Sequence, residues 1–254
     1  MKAIILAAGY ATRLYPLTKN TPKALLPIDK KPIIDYIVEQ INGIEEIDEI
    51  YVVTNHKFAQ NFQSWQKQTV SRAKITVLDD GTTTEQNRRG AIGDISFVID
   101  EMHIKQDLLV IAGDNFFTYS LKDYYNFYKQ KNRDCVCVKI WEDEKTLSNF
   151  GIALLDEKGK VLDIEEKPKN PKSNTVVFAT YLYQRDTVPL FKQYLIEGNN
   201  PDAPGNFPAW LYQKKEVYAY TFEGECYDIG TMESYDQVKK LFEKSQRSIA
   251  PFYK

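Results

Sequence analysis

The stretch Ala3-Ile4-Ile5-Leu6-Ala7-Ala8-Gly9 decides the fold. An unbroken apolar run closed by a glycine reads as a strand buried on both faces, the habit of strands in a parallel sheet. Outward from it, Pro32 opens a helix whose apolar residues Ile33, Ile34, Ile37, Val38 and Ile41 recur at helical spacing. Residues 50–53 read as the next strand, 56–68 as a polar helix, 75–78 as a strand, 92–102 as a helix and 108–112 as another buried strand. Strand and helix alternating in this way predict an α/β fold with a Rossmann-like, mostly parallel mixed sheet and helices on both faces. The second half is richer in β structure. Residues 135–140, 151–155, 161–165, 176–183 and 217–222 read as strands. Helices are expected over 188–196 and 207–213, with a closing helix over 234–242. Residues 198–208, rich in Pro, Gly and Asn, read as a long surface loop rather than a domain boundary.

The 254 residues suit a single domain with a core of its own. Lys plus Arg number 33 and Asp plus Glu 35, so no basic face is expected, which argues against nucleic acid as a partner held by bulk charge. No apolar run approaches the roughly 20 residues that span a bilayer, and the N-terminus lacks a cleavage pattern. Cys135, Cys137 and Cys226 form neither a zinc-type pair nor a disulfide framework. Cys135 and Cys137 alternate in an apolar segment and read as small buried strand residues. A soluble, cytoplasmic protein without a membrane partner is the expectation.

Gly9 ends the first strand, so its loop lies at the carboxyl edge of the sheet, where open α/β sheets bind ligands. Between Gly9 and Pro27 stand Thr12, Arg13, Thr18, Lys19 and Lys23, with prolines at 16, 22 and 27. A stiffened loop with glycine, hydroxyls and cations suits a polyphosphate: backbone N–H groups approach the oxygens while Arg13 and Lys23 offset charge. By composition alone it could equally be a polar surface loop. Neither a Walker-type phosphate loop nor a G-x-G-x-x-G fingerprint is present. Asp114 follows a buried strand and should point into the same crevice. Taken alone it could also be a helix or turn cap. His56 and His103 fall in predicted helices outside the sheet and read as surface or packing residues.

The run Leu6-Ala7-Ala8-Gly9-Tyr10-Ala11-Thr12-Arg13-Leu14, then Pro16-Leu17-Thr18, then Pro22-Lys23-Ala24-Leu25-Leu26-Pro27-Ile28, resembles the signature of the sugar-1-phosphate nucleotidylyltransferases. Gly113-Asp114-Asn115, Phe150-Gly151-Ile152, Glu165-Glu166-Lys167-Pro168 and Tyr227-Asp228-Ile229-Gly230-Thr231 match later motifs of that family in order. The resemblance implies a GT-A-like fold over residues 1–254, with a nucleotide-binding half (1–133) and a half that binds a sugar phosphate (134–254). It implies Arg13, Lys23, Asp114, Lys167 and Asp228 as the catalytic set. Leu6, Ala8, Gly9, Thr12, Thr83 and Gly90 would join Arg13, Lys23 and Asp114 in holding a nucleoside triphosphate. Gly151, Glu166, Lys167 and Thr180 would hold the sugar phosphate. Asp114 and Asp228 would bind Mg²⁺, a hard cation that accepts one or two carboxylates beside phosphate oxygens. The implied reaction is in-line attack on the α-phosphorus with loss of pyrophosphate. It needs no general base, because the attacking oxygen is already anionic. A homo-oligomer is compatible with the sequence.

The chain departs from the family in four places. Ala11 replaces the second glycine of G-x-G-T-R, a position where positive φ would strain a side chain and re-shape the loop. Residues 81–91 replace a compact glycine-rich segment: Gly90 would stand under the base, Thr83 and Asn87 could meet base edges or cap the next helix, and Arg88 and Arg89 could extend the phosphate surface. Thr180 stands where relatives carry glycine on the sugar-proximal strand and should narrow the acceptor pocket. One helix follows the Asp228 motif, so the transfer reaction alone is expected, without inherited feedback control. Two further readings use the same residues. One is transfer from CTP to phosphocholine, with a cage drawn from Tyr181, Tyr183, Trp210 and Tyr227. The other is a non-catalytic nucleotide-binding regulator, which would be expected to lack Arg13 or a metal carboxylate.

Overall fold

The computed structural model describes residues 1–249, without the side chains of Asp228 and of 243–249. Strand β1 (Lys2–Leu6) leads through a looped region to the short pair β2 (Pro27–Ile28) and β3 (Lys31–Pro32), then helix α1 (Ile33–Asn42). There follow β4 (Glu49–Thr54), α2 (Ala59–Gln66), β5 (Lys74–Asp79), α3 (Ala91–Glu101), β6 (Leu108–Ala112), β7 (Asn115–Phe117) and α4 (Leu121–Lys131). The second half holds β8 (Asp134–Ile140), β9 (Gly151–Leu155), β10 (Val161–Glu166), β11 (Thr175–Tyr183), α5 (Leu190–Ile196), α6 (Asn206–Leu211), β12 (Val217–Thr221), β13 (Cys226–Asp228) and α7 (Met232–Ile249).

One nine-stranded mixed sheet runs through both halves. Strands β5, β4, β1 and β6 lie parallel and in that order. Their β1 centre is buried on both faces, with Ala3, Ile4 and Ile5 at 0% exposure, as the unbroken apolar run predicts. Ala3 and Ile5 face a layer with α1, α2 and α4, while Ile4 faces α3, α5 and α6. Strand β11 joins antiparallel to β6 and carries the sheet across. Its first half lies between β9 and β8. After an irregularity between Phe178 and Tyr181 its second half lies between β6 and β8. Cys135 and Cys137 sit on β8 and are fully buried.

Helix α1 forms where the spacing predicts it, with all five apolar residues buried. Helix α4 has no counterpart among the elements expected from the sequence. Its face is made by Leu121, Tyr124, Tyr125 and Tyr128, at i, i+3, i+4 and i+7, and Ser120 caps it by accepting from Asp123 N at 3.1 Å. Asn132 ends it in a left-handed conformation, φ 50°. His56 opens a short 3₁₀ turn ahead of α2 and pairs with Asp79 at 2.6 Å. His103 lies beyond the end of α3 at φ 51°, not within a helix. The expected surface loop over 198–208 is shorter: α6 begins at Asn206, and Gly205, Phe207 and Pro208 are buried. No helix among the described residues is long and apolar enough to cross a membrane.

Candidate active site

The parallel strands deliver their carboxyl ends to one edge, where three loops meet. Gly113 makes a close approach: its N–H donates to Leu6 O at 2.8 Å, and a Cβ there would lie 2.9 Å from that oxygen. Only glycine lets β6 end so close to β1, and this brings Asp114 beside the loop after Gly9. That loop is pinned from behind. Asn55, fully buried at the end of β4, donates to Ala8 O at 2.8 Å, and Thr18 Oγ1 donates to Ala11 O at 2.7 Å. Both hold carbonyls back, leaving the amide side of the loop to the cleft. A Cβ at Gly9 would meet no protein atom within 4 Å, so the glycine keeps a cradle open on the cleft side. Asn55 escaped the sequence reading because its partner is 47 residues away.

Ala11 adopts φ 48° and ψ 43°. Ala11 therefore holds a left-handed conformation of the kind glycine favours and carries a strain of about 1–2 kcal/mol. The resulting cleft, about 250 Å³, is lined by Leu6, Gly9, Thr12, Arg13, Lys23 and Asp114, with Glu85 and Arg88 from the segment after β5. Lys23 Nζ pairs with the Asp114 carboxylate. Ala8 stays behind the wall, with its carbonyl held by Asn55. Thr83 does not face the cleft. Its N–H and that of Thr84 donate to Asn87 Oδ1 at 3.2 and 3.0 Å in a capping arrangement, so these residues cap a turn. Arg89 turns away, donating to Asp80 O at 2.8 Å and stacking 4.5 Å from the Phe97 ring. Gly90, at φ 78°, meets the chain at Pro201, whose carbonyl oxygen would lie 2.5 Å from a Cβ.

A second cleft, about 210 Å³, opens on the other side of Asp114 and is lined by Gly151, Glu166, Lys167, Ala179, Tyr181 and Gly205. Gly151 makes room for the Glu166 carboxylate, which a Cβ would approach to 3.0 Å. Burial pushes the Glu166 carboxyl above its ordinary range, and Lys167, 3.8 Å away, partly offsets this. Lys167 breaks the strand with φ 50° and leaves its ammonium largely exposed at the cleft.

Thr180 is a correction. It is 0% exposed, and its Oγ1 accepts from Tyr119 OH at 2.8 Å on the far side of the sheet. Side chains alternate along a strand, so Ala179 and Tyr181 take the cleft side and Thr180 the core. The four aromatics considered for a cationic cage do not converge. Tyr181 lines the second cleft and stacks on Tyr183 at 5.9 Å, but Tyr183 is buried against Phe191 and Phe207, Trp210 packs on Tyr194, and Tyr227 pairs in β13 with Phe116, so the four do not ring one cleft.

The side chain of Asp228 lies outside the described residues. Its backbone is in register with Asn115 on β7, and Ile229 N donates to Asp114 O at 3.3 Å. Residue 228 is thus a chain neighbour of Asp114 across a strand pair. The Asp114 carboxylate lines both clefts and offers hard oxygen donors of the kind Mg²⁺ takes.

The chain is similar in sequence and in fold to known proteins. A model of the nucleotidyl transferase family matches residues 2–245. A bifunctional protein GlmU of Methanocaldococcus jannaschii is 27% identical over 91% of this chain and 51% of its own length. A glucose-1-phosphate adenylyltransferase of Clostridium novyi is 29% identical over 92% of this chain and 64% of its own length. The chain thus spans about half to two thirds of the length of these relatives. A UDP-glucose pyrophosphorylase solved with UDP-glucose superposes with a TM-score of 0.81 at 22% identity, covering 96% of this chain and 98% of that one. With the family match running almost from end to end over this fold and this cleft, the chain belongs to the nucleotidyl transferase family.

Proposed function

We propose that the chain transfers a nucleotidyl group from a nucleoside triphosphate to a sugar 1-phosphate, yielding a nucleoside diphosphate sugar and pyrophosphate. The observation that carries this reading is the position of Asp114, which lines both clefts. Cations stand on either side of it, Arg13 and Lys23 toward one cleft and Lys167 toward the other. Two anionic substrates, each met by its own cations, would face one another across a single carboxylate.

In this reading Gly9 and Thr12 receive the triphosphate and Arg13 offsets the charge of the departing pyrophosphate. Lys23, beside Asp114, sits at the reacting phosphorus, and Lys167 holds the acceptor phosphate. The anionic acceptor oxygen forms a bond to the α-phosphorus as the bond to the β-phosphate oxygen breaks, and the electron pair leaves with pyrophosphate. No proton has to move. Asp114 and Asp228 would hold Mg²⁺, which supplies charge neutralisation for the phosphate oxygens. Glu166, buried beside the second cleft, would accept hydrogen bonds from sugar hydroxyls. The protein's work is placement and charge.

Pyrophosphate release over a grid of four magnesium nucleoside triphosphates and a panel of sugar 1-phosphates, with phosphocholine included, tests the proposal. Release with sugar 1-phosphates, lost by at least about a hundredfold in Asp114→Asn, is the expected result. No release across the grid, or release with phosphocholine alone, would overturn it.

A further inference from the structure

The segment 201–205 touches both clefts. At one end the Pro201 and Asp202 carbonyls accept from Ile92 N at 2.9 Å and Ala91 N at 3.0 Å. These are first-turn amides of α3, which have no partner inside their own helix. At the other end Ala203, Pro204 and Gly205 wall the second cleft. A Cβ on Gly205 would fall on the Glu166 carboxylate, so the segment packs directly against that group. Between the two ends the Asp202 carboxylate holds Arg88 Nη2 at 2.8 Å. Arg88 lines the first cleft and has a weaker tie to Glu85, at 3.5 Å. Its side chain is 45% exposed, so neither partner buries it.

We propose that Arg88 is a triphosphate ligand, and that its exchange of Asp202 for phosphate couples the first cleft to the second. The proposal rests on the nucleotide reading of the first cleft. A guanidinium shared by two exposed carboxylates transfers readily to a polyphosphate of higher charge, which it can grip through two parallel bonds. Asp202 then loses its counter-charge, and segment 201–205 is left with its backbone bonds to α3 and its packing on Glu166. Asp202 is a positioning residue here. Its ion pair opposes nucleotide binding, because the pair must open, and it passes that opening to the wall of the acceptor cleft. Coupling of this kind is reciprocal for the two affinities.

Calorimetric titration of the magnesium salts of UTP, dTTP, CTP and GTP provides the first test. Asp202→Asn frees Arg88 in advance, so the tightest of the four should bind about two- to fivefold more tightly than to the parent, the factor an exposed ion pair supplies. Arg88→Met should weaken the same triphosphate at least about tenfold. Both substitutions are at the surface, and a circular dichroism melt checks each fold. With the sugar 1-phosphate of highest turnover, Asp202→Asn should change the acceptor KM while kcat stays within about twofold.

Unchanged or weaker triphosphate binding in Asp202→Asn, or parental affinity in Arg88→Met, overturns the proposal. An unchanged acceptor KM removes the coupling. If triphosphate binds but no acceptor turns over, the transfer reading and the coupling both fall, while the Arg88 contact stands or falls by calorimetry. If no triphosphate binds, all three fall.

Discussion

Replacing Asp94 by asparagine should make the protein more stable, and increasingly so as the pH rises. Asp94 lies in the first turn of α3 and is 6% exposed. Its Oδ1 has no hydrogen-bond partner, nor has Oδ2 of the neighbouring Asp80, whose Oδ1 is taken by Thr82 N and Oγ1 at 2.7 and 2.6 Å. Burial first, and Asp80 beside it second, push the Asp94 carboxyl from 3.8 up to about 8, against a smaller pull from Arg89. From about pH 4 to 8 the folded state therefore holds a proton that the unfolded chain has released, and stability falls as pH rises through that window. Below about pH 4 the group is protonated in both states and contributes nothing. A tenfold change in proton affinity is worth about 1.4 kcal/mol. If only half of the roughly four tenfold steps is realised, the loss by pH 8 is about 3 kcal/mol. The Asp94→Asn variant has no proton to lose at this position, and the new amide can donate to the unpartnered Asp80 oxygen. Urea unfolding at pH 4.5, 6.5 and 8.5 measures the difference. A gap that widens with pH in favour of the variant is expected. A variant less stable at every pH, or a gap independent of pH, would refute the buried protonated carboxyl.

Other substitutions probe separate parts of the structure. Ala11→Gly should relieve left-handed strain, net of the added freedom of glycine in the unfolded chain, for about 1 kcal/mol. A thermal melt should rise by about 2–4 °C. Thr180→Val removes the hydroxyl that accepts from buried Tyr119 and should cost about 1–3 kcal/mol in urea unfolding while the acceptor KM holds; a changed KM would return Thr180 to the cleft. Gly205→Ala should press on Glu166 and raise the acceptor KM about tenfold in steady-state kinetics.

What was readable in the chain depended on whether the signal was local. Unbroken apolar runs over residues 3–8 and 108–112 marked strands buried on both faces, because burial on both faces requires apolar residues in succession. Helix α1 carried its face in one pattern. Helix α4 carried one too, with the Ser120 cap, but its face is made largely of tyrosines, whose hydroxyls masked the spacing. The pair β7–β13 is three residues long and joins segments over a hundred positions apart, so no local pattern marks it. Thr180 was named from the resemblance, which does not say which face of the strand a side chain takes; its hydroxyl faces Tyr119 in the core. Within the candidate site, loop position pointed Gly9, Arg13, Lys23 and Asp114 toward one crevice, where the structure brings them together, while composition alone left a plain surface loop open. Asn55 and segment 201–205 could not, since each acts on residues far away in sequence.

The proposed reaction cleaves a triphosphate between its α- and β-phosphorus and passes the nucleotidyl group, with the α-phosphorus, to an acceptor phosphate. Turnover of a nucleoside triphosphate labelled at the α-phosphorus, in the presence of the preferred sugar 1-phosphate, tests it most directly. The label should appear in a nucleoside diphosphate sugar, with pyrophosphate formed in equal amount. Label in free nucleoside diphosphate, with inorganic phosphate released in place of pyrophosphate, would contradict the account.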